Sequence, residues 1–162
     1  MTFSFARFAG DKTDFSKAAF PSTRTDFTNS YLSSRATTFE LAAFESQYVS
    51  FDGVQFGSED RRTSDDFPWV DSGVRFARTL FGQQTKTNMK HSWFMGKVDF
   101  SLAIFAGAIS FEMPRAWDDV IFDWNDSPAD LPNTVRPRDW PPKVGAMRFD
   151  FGAAATPSPP AT

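Results

Sequence analysis

Cysteine is absent from the 162-residue chain. That excludes disulfides, thiolate nucleophiles, Cys-ligated zinc and iron–sulfur clusters, and it leaves burial to hold the fold. Histidine occurs once, as His91, so a histidine-based metal site would need carboxylates for its other ligands. Set in Lys90-His91-Ser92-Trp93, it reads as a surface residue. Charge of one sign is also scarce: the net charge is −3 and the pI about 5.1, with basic residues scattered singly or in pairs such as Arg61-Arg62. No nucleic-acid partner is expected, because phosphate binding needs basic patches; Lys86, Lys90 and Lys97 are the nearest approach.

Long apolar runs are lacking as well. The most apolar stretch is Phe100 to Phe111, closed by Asp99 and Glu112, and it falls short of the roughly twenty residues that span a bilayer as a helix. It reads as a buried strand pair or hairpin, with membrane contact through Phe100–Phe111 as the competing reading. The N-terminus shows no basic leader before an apolar core, so no secretory signal is expected.

Phenylalanine is abundant, with twenty copies, and it recurs with a period of twelve. The first rung is Phe3, Phe15, Phe27, Phe39 and Phe51, then, after one extra residue, Ser64, Phe76, Asn88, Phe100 and Glu112. Five residues after each comes a large apolar residue: Phe8, Phe20, Leu32, Phe44, Phe56, Trp69, Phe81, Trp93, Phe105 and Trp117. Small or branched residues stand two positions earlier, as Thr13, Thr25, Thr37, Val49, Val74 and Val98 do before the first rung. Residues i and i+2 share one face of a strand, and Phe, Thr and Val favour strands. A helix fails, because five residues advance about 140° and twelve about 120° around its axis. Only Thr38 to Gln47 reads as a short helix.

The expected fold is therefore mostly β: an antiparallel meander, sandwich or barrel built from units of about twelve residues. The alternative is a β-solenoid of 12-residue coils. Two large aromatics per such coil would crowd a narrow interior, which weighs toward the antiparallel arrangement. Units such as Thr13-Asp14-Phe15-Ser16-Lys17 and Thr25-Asp26-Phe27-Thr28-Asn29 resemble the pentapeptide repeat, in which a small residue precedes a central Leu or Phe by two. The resemblance runs over residues 1–117, with two residues added after every ten. The family builds a right-handed quadrilateral solenoid from unbroken fives and often serves as a binding or mimicry surface. With two residues inserted after every ten, four faces of five are not expected to close here, and the resemblance is read as shared strand chemistry.

Composition changes near residue 117. Only Pro21, Pro68 and Pro114 of the eleven prolines precede that point. We expect a β-rich repeat domain over 1–117 and, over 118–162, an acidic, Pro-rich arm or cap with a flexible tail.

Chemistry-bearing motifs are few. Nucleophile elbow, Walker loop and dinucleotide fingerprint are missing, no cofactor is expected, and the chain reads as non-enzymatic with no catalytic residues. Trp93 and Trp117, with Trp124 beyond, could stack on a ligand ring; buried, they are the large end of the core. Asp123, Asn125 and Asp126 could offer oxygens to calcium. Pro128 and Thr134 depart from the EF-hand pattern, and a solvated acidic loop is the competing reading.

A repeated scaffold with a Pro-rich arm points to a structural subunit. It would oligomerise with itself or dock onto neighbouring subunits of a larger assembly, as a virion coat, cement or tail component does. Two other readings are a β-barrel or sandwich module for a carbohydrate or small apolar ligand, and an accessory subunit of a membrane complex.

Overall fold

A computed structural model describes residues 1–57 and 73–145. Ser64 and Trp69 of the ladder, the Arg61-Arg62 pair and the last ten residues lie outside them. Among the described residues are seventeen short strands and one 3-10 turn, Pro128–Asp130. Every strand pairing is parallel. The chain is a β-solenoid, and the antiparallel meander, sandwich or barrel is overturned.

The solenoid has four faces. Face 1 stacks Arg7–Phe8, Tyr31–Leu32, Gln55–Phe56 and the first residues of Trp93–Asp99 and Ala116–Ile121. Face 2 stacks Lys12–Asp14, Ala36–Thr38, Gly73–Arg75 and the later residues of those same two long strands. Face 3 is Ala19–Phe20, Ala43–Phe44, Leu80–Phe81 and Ile104–Phe105. Face 4 is Arg24–Asp26, Tyr48–Ser50, Lys86–Asn88, Ala108–Ser110 and Val135–Arg136, with Thr2 bridged to Asp26 at its start. Arg7 pairs with Tyr31 and Tyr31 with Gln55, so one coil is 24 residues. Two twelve-residue units make each coil, which corrects the expected coil of twelve.

Corners explain why the units turn instead of folding back as hairpins. Two residues after Phe3, Phe15, Phe27, Phe39, Phe51, Phe76, Met89, Phe100 and Phe111 the backbone is left-handed, at Phe5, Lys17, Asn29, Leu41, Gly53, Arg78, His91, Leu102 and Met113, with φ between +52° and +63°. The N–H of the following residue returns to the carbonyl at the start of the turn, as from Ala42 to Phe39 (2.9 Å) and from Ala103 to Phe100 (3.0 Å). Positive φ at the third residue is the signature of a type II turn. Leu41 in this conformation breaks the helix expected over Thr38 to Gln47. Phe39 and Phe44 point into the core from two adjacent faces, so tertiary stacking overrides local helix preference.

The interior accepts the aromatics because the rings lie flat and stack along the axis. Phe15, Phe39, Phe76, Phe100 and Phe122 form one column with centroids 4.8, 4.7, 4.8 and 4.7 Å apart and ring planes within 12°. Phe20, Phe44, Phe81 and Phe105 form a second, at 4.7, 5.3 and 5.3 Å. Neighbouring strands lie about 4.7–4.9 Å apart, so one ring fills one coil's height. Across the interior the first-rung columns meet edge to face, as Phe27 with Phe39 (5.9 Å, 86°) and Phe100 with Phe111 (5.5 Å, 85°). That geometry suits the ring quadrupole, and it removes the crowding anticipated from bulk.

Register explains the apparent breaks in the ladder. The corner Gly82 to Thr85 holds one residue more than the matching corner Glu45 to Gln47. Met89 therefore continues the Phe3, Phe27, Phe51 column in place of Asn88, and Phe94 pairs with Phe56 in place of Trp93. Phe111 likewise takes the place of Glu112. Between Phe94 and Phe100 the chain is one residue shorter than between Leu32 and Phe39, and Trp93–Asp99 runs as one strand across two faces.

Phe100 to Phe111 is not a hairpin. Its two strands, Ile104–Phe105 and Ala108–Ser110, lie on adjacent faces and pair only with neighbouring coils, while Leu102 and Ile104 are exposed. The expected boundary at 117/118 falls inside the strand Ala116–Ile121. Phe122, Trp124, Leu131 and Val135 beyond it are buried. No helix among the described residues is long and apolar enough to cross a membrane.

Candidate functional site

Inward positions are committed to the core, so the surfaces open to partners are the outer faces and the two ends. On face 2, alternation puts Lys12, Asp14, Arg75 and Asp99 outside. Ala36 and Gly73 carry little bulk there and leave a shallow depression of about 270 Å³ flanked by Lys12 and Lys97. Arg75 stands 3.6 Å from Asp99 and 3.9 Å from Glu40. A second depression, about 490 Å³, lies on face 4 among Tyr48, Lys86, Asn88, Ser110 and Arg136. Face 3 is apolar outside: Ala19, Ala43, Leu80 and Ile104 stack in register.

Several carboxylates on these faces are held ionised by neighbours. The Lys90 ammonium, 2.5 Å from Glu112, and the Ser110 hydroxyl lower the Glu112 pKa. Partial burial would raise that of Asp26, but hydrogen bonds from the Thr28 hydroxyl and N–H and from the Arg24 guanidinium outweigh it and bring it down. Lys12, 2.6 Å away, and Ser16 hold Asp14 well below the usual range. His91 sits at a left-handed corner with its Nδ1 2.9 Å from Asp52 Oδ1. It belongs to the surface, as its sequence context suggested.

The residues singled out in the sequence divide. Trp117 and Trp124 come together with Phe122 and Trp140 at the end of the solenoid; Trp140 lies 5.6, 5.0 and 5.8 Å from Trp117, Phe122 and Trp124. Trp124 is 5 % exposed, and its Nε1 has no hydrogen-bond partner among the described residues. Trp93 is separate, half-buried on face 1, with the Arg115 guanidinium 4.5 Å from its ring centroid. Asp123 accepts the Leu102 N–H at 2.9 and 3.2 Å. In earlier coils the matching N–H goes to a backbone carbonyl of the next coil, as from Arg78 to Ser101. Asn125 donates its side-chain amide to the Val120 carbonyl at 2.9 Å, and Asp126 is exposed. No group of three His, Asp or Glu that could hold a metal occurs among the described residues.

The two ends differ. The last layer, Phe111, Trp117 and Phe122, is covered by the segment carrying Trp124, Leu131 and Trp140. Among the described residues the first layer, Phe3, Phe8, Phe15 and Phe20, stacks against the second coil on one side only. Among the described residues no strand pairs with the free side of Arg7–Phe8, Lys12–Asp14 or Ala19–Phe20. Phe3, Phe8 and Phe15 are only partly buried there, and Phe5 at the corner is 75 % exposed. The ladder does not show which strands pair, so this edge left no mark in the sequence.

Fold and ends together define a four-faced parallel β-solenoid in which, among the described residues, the last layer is covered and the first is not. No protein-family model, curated protein or solved structure matches the chain.

Proposed function

We propose that the chain is a non-enzymatic assembly subunit whose working surface is the open end of its solenoid, and that it associates with copies of itself. The observation that carries this reading is the asymmetry of the ends. An open strand edge presents unpaired N–H and C=O groups, which act as a template for another strand unless covered. Here that edge rims a layer of four phenylalanines, three of them only partly buried. The last layer has a tryptophan and proline-containing cover of its own.

Of the expected arm over 118–162, the described part, up to residue 145, carries Phe122, Trp124, Leu131 and Trp140 onto its own last coil, and among the described residues the end layer without such a cover is the first. Pairing there would add backbone hydrogen bonds and remove apolar area from water at roughly 25 cal/mol per Å².

Light scattering coupled to size exclusion on the full 18.2 kDa chain tests the reading. Loaded from about 1 to 200 μM, the protein is expected to pass from monomer to a defined larger species, as a modest interface of this size would give. A monomer throughout that range would contradict it.

A further inference from the structure

We infer that the open end pairs with a second copy of this chain about a two-fold axis through Thr13, the strand Lys12–Asp14 meeting its own copy antiparallel. This rests on the proposed self-association and makes it specific. On that strand, Asp11 O accepts from Ala36 N–H (3.0 Å) and Phe15 N–H donates to Thr38 O (2.8 Å), so odd-numbered backbone groups point into the second coil. The N–H and C=O of Lys12 and Asp14 consequently point to the free side, as alternation in a parallel ladder requires.

A two-fold axis at Thr13 sets Lys12 of one copy opposite Asp14 of the other, and Asp14 opposite Lys12. Both are then hydrogen-bonded pairs of an antiparallel ladder, each exchanging two backbone bonds, while Thr13 meets Thr13 in the pair that needs none. Side chains of directly opposed residues lie on the same face, about 5.5 Å apart at Cα. Each ammonium thus faces a carboxylate across the axis, twice by symmetry. The sequence Lys-Thr-Asp is self-complementary in charge for antiparallel pairing, whereas parallel stacking in register would set like charges together. A two-fold interface is the isologous kind, in which one patch serves both subunits.

The same axis carries face 4 onto face 4 and exchanges faces 1 and 3. It lays the partly buried Phe3, Phe8 and Phe15 against the matching layer of the second copy. Lys12 and Asp14 project from the outer surface, so they do not obstruct the edge. Within one chain they also form an ion pair at 2.6 Å, and the test must separate that contact from the one across the axis.

Two variants do so. Lys12→Glu makes the strand acidic and Asp14→Lys makes it basic; each alone loses the intrachain pair and sets like charges across the axis. Each is expected to weaken self-association by about tenfold or more, since it replaces two opposed charge pairs by two like-charge pairs across the axis. Mixed in equal amounts, the two variants are expected to form a mixed dimer at close to the wild-type concentration dependence. The intrachain pair is not restored by mixing, so recovery reports the contact between copies.

Wild-type dimers with unchanged variants, or variants that mixing does not rescue, would overturn this pairing and leave self-association through another surface standing. A wild type that stays monomeric overturns both. Should either variant fail to fold, amide exchange on the wild type decides: the Lys12 and Asp14 amides are expected to slow as concentration rises, and exchange independent of concentration refutes the pairing.

Discussion

Replacing Phe76 by alanine tests the stacked core where it is most confined. Phe76 is wholly buried, with Phe39 4.7 Å below and Phe100 4.8 Å above, both nearly parallel to it, and Phe51 and Phe56 edge-on at 5.8 and 5.7 Å. Coil spacing around it is fixed by backbone bonds such as Phe76 N–H to Asp99 O (2.7 Å) and Phe39 N–H to Arg75 O (2.7 Å). The neighbouring rings therefore cannot close the gap, and the cost belongs in the upper part of the 3–5 kcal/mol range for Phe→Ala, at about 4 kcal/mol. For a chain of this length that is a fall in Tm of about 8–16 °C. Phe15→Ala, in the same column, removes a partly buried ring with a single coil neighbour, Phe39 at 4.8 Å. Its expected cost is about 1–2 kcal/mol. Urea unfolding followed by tryptophan fluorescence, at sub-micromolar protein to keep the open end unpaired, measures both. Equal losses at the two positions, or a loss below about 1 kcal/mol at Phe76, would refute the stacked column.

Gly107→Ala is expected to cost about 1–3 kcal/mol, because a Cβ there would run into the backbone carbonyls of Gly82 and Thr85; thermal unfolding reads it, and an unchanged Tm contradicts the corner geometry. Leu41→Gly should be neutral or stabilising by up to about 1 kcal/mol: the left-handed backbone at φ +60° costs a non-glycine residue about 1–2 kcal/mol, against a glycine entropy cost of about 0.5–1. A clear loss of stability would show that the exposed leucine has a role in packing. Acid should destabilise the fold. The pKa values of Asp26 and Glu112 are lowered, so their contribution is complete above the unfolded carboxylate range near about 4 and disappears as pH falls through the lower folded values. Urea midpoints between pH 7 and pH 2 should stay level to about pH 5 and then drop, with a smaller drop in the Asp26→Asn, Glu112→Gln double variant; an unaltered acid limb in that variant refutes the assignment.

The β class, the twelve-residue unit and most of the core were legible in the sequence, because inward positions need large apolar residues and their i−2 neighbours are small or branched. Thr25, Thr37, Val49, Val74 and Val98 are all buried as that pattern requires. Strand direction was not legible. Parallel pairing depends on what stands one coil away, and two units, not one, close a coil. Nor could the ladder show that an added residue near Gly82 moves Met89 and Phe94 inward and Trp93 outward; Asn88 and Glu112 looked like faults in a column they do not occupy. Helix preference over Thr38 to Gln47 misled because Phe39 and Phe44 each gain two parallel ring stacks that a local scale does not count. Among the candidate site residues, Trp117 and Trp124 are brought together through Phe122 and Trp140, and Asp123 meets the Leu102 N–H of the preceding coil, twenty-one residues away.

The absence of native cysteine makes one measurement decisive for the parallel 24-residue coil. Ala19 and Ala43 are register partners on face 3, and Tyr31, twelve residues from each, lies on face 1. Paired strands stand about 4.8 Å apart, within disulfide reach. Under mild oxidation, Ala19→Cys with Ala43→Cys should cross-link within the monomer, and Ala19→Cys with Tyr31→Cys should not. Cross-linking of the 19/31 pair, with none at 19/43, would contradict the four-faced solenoid.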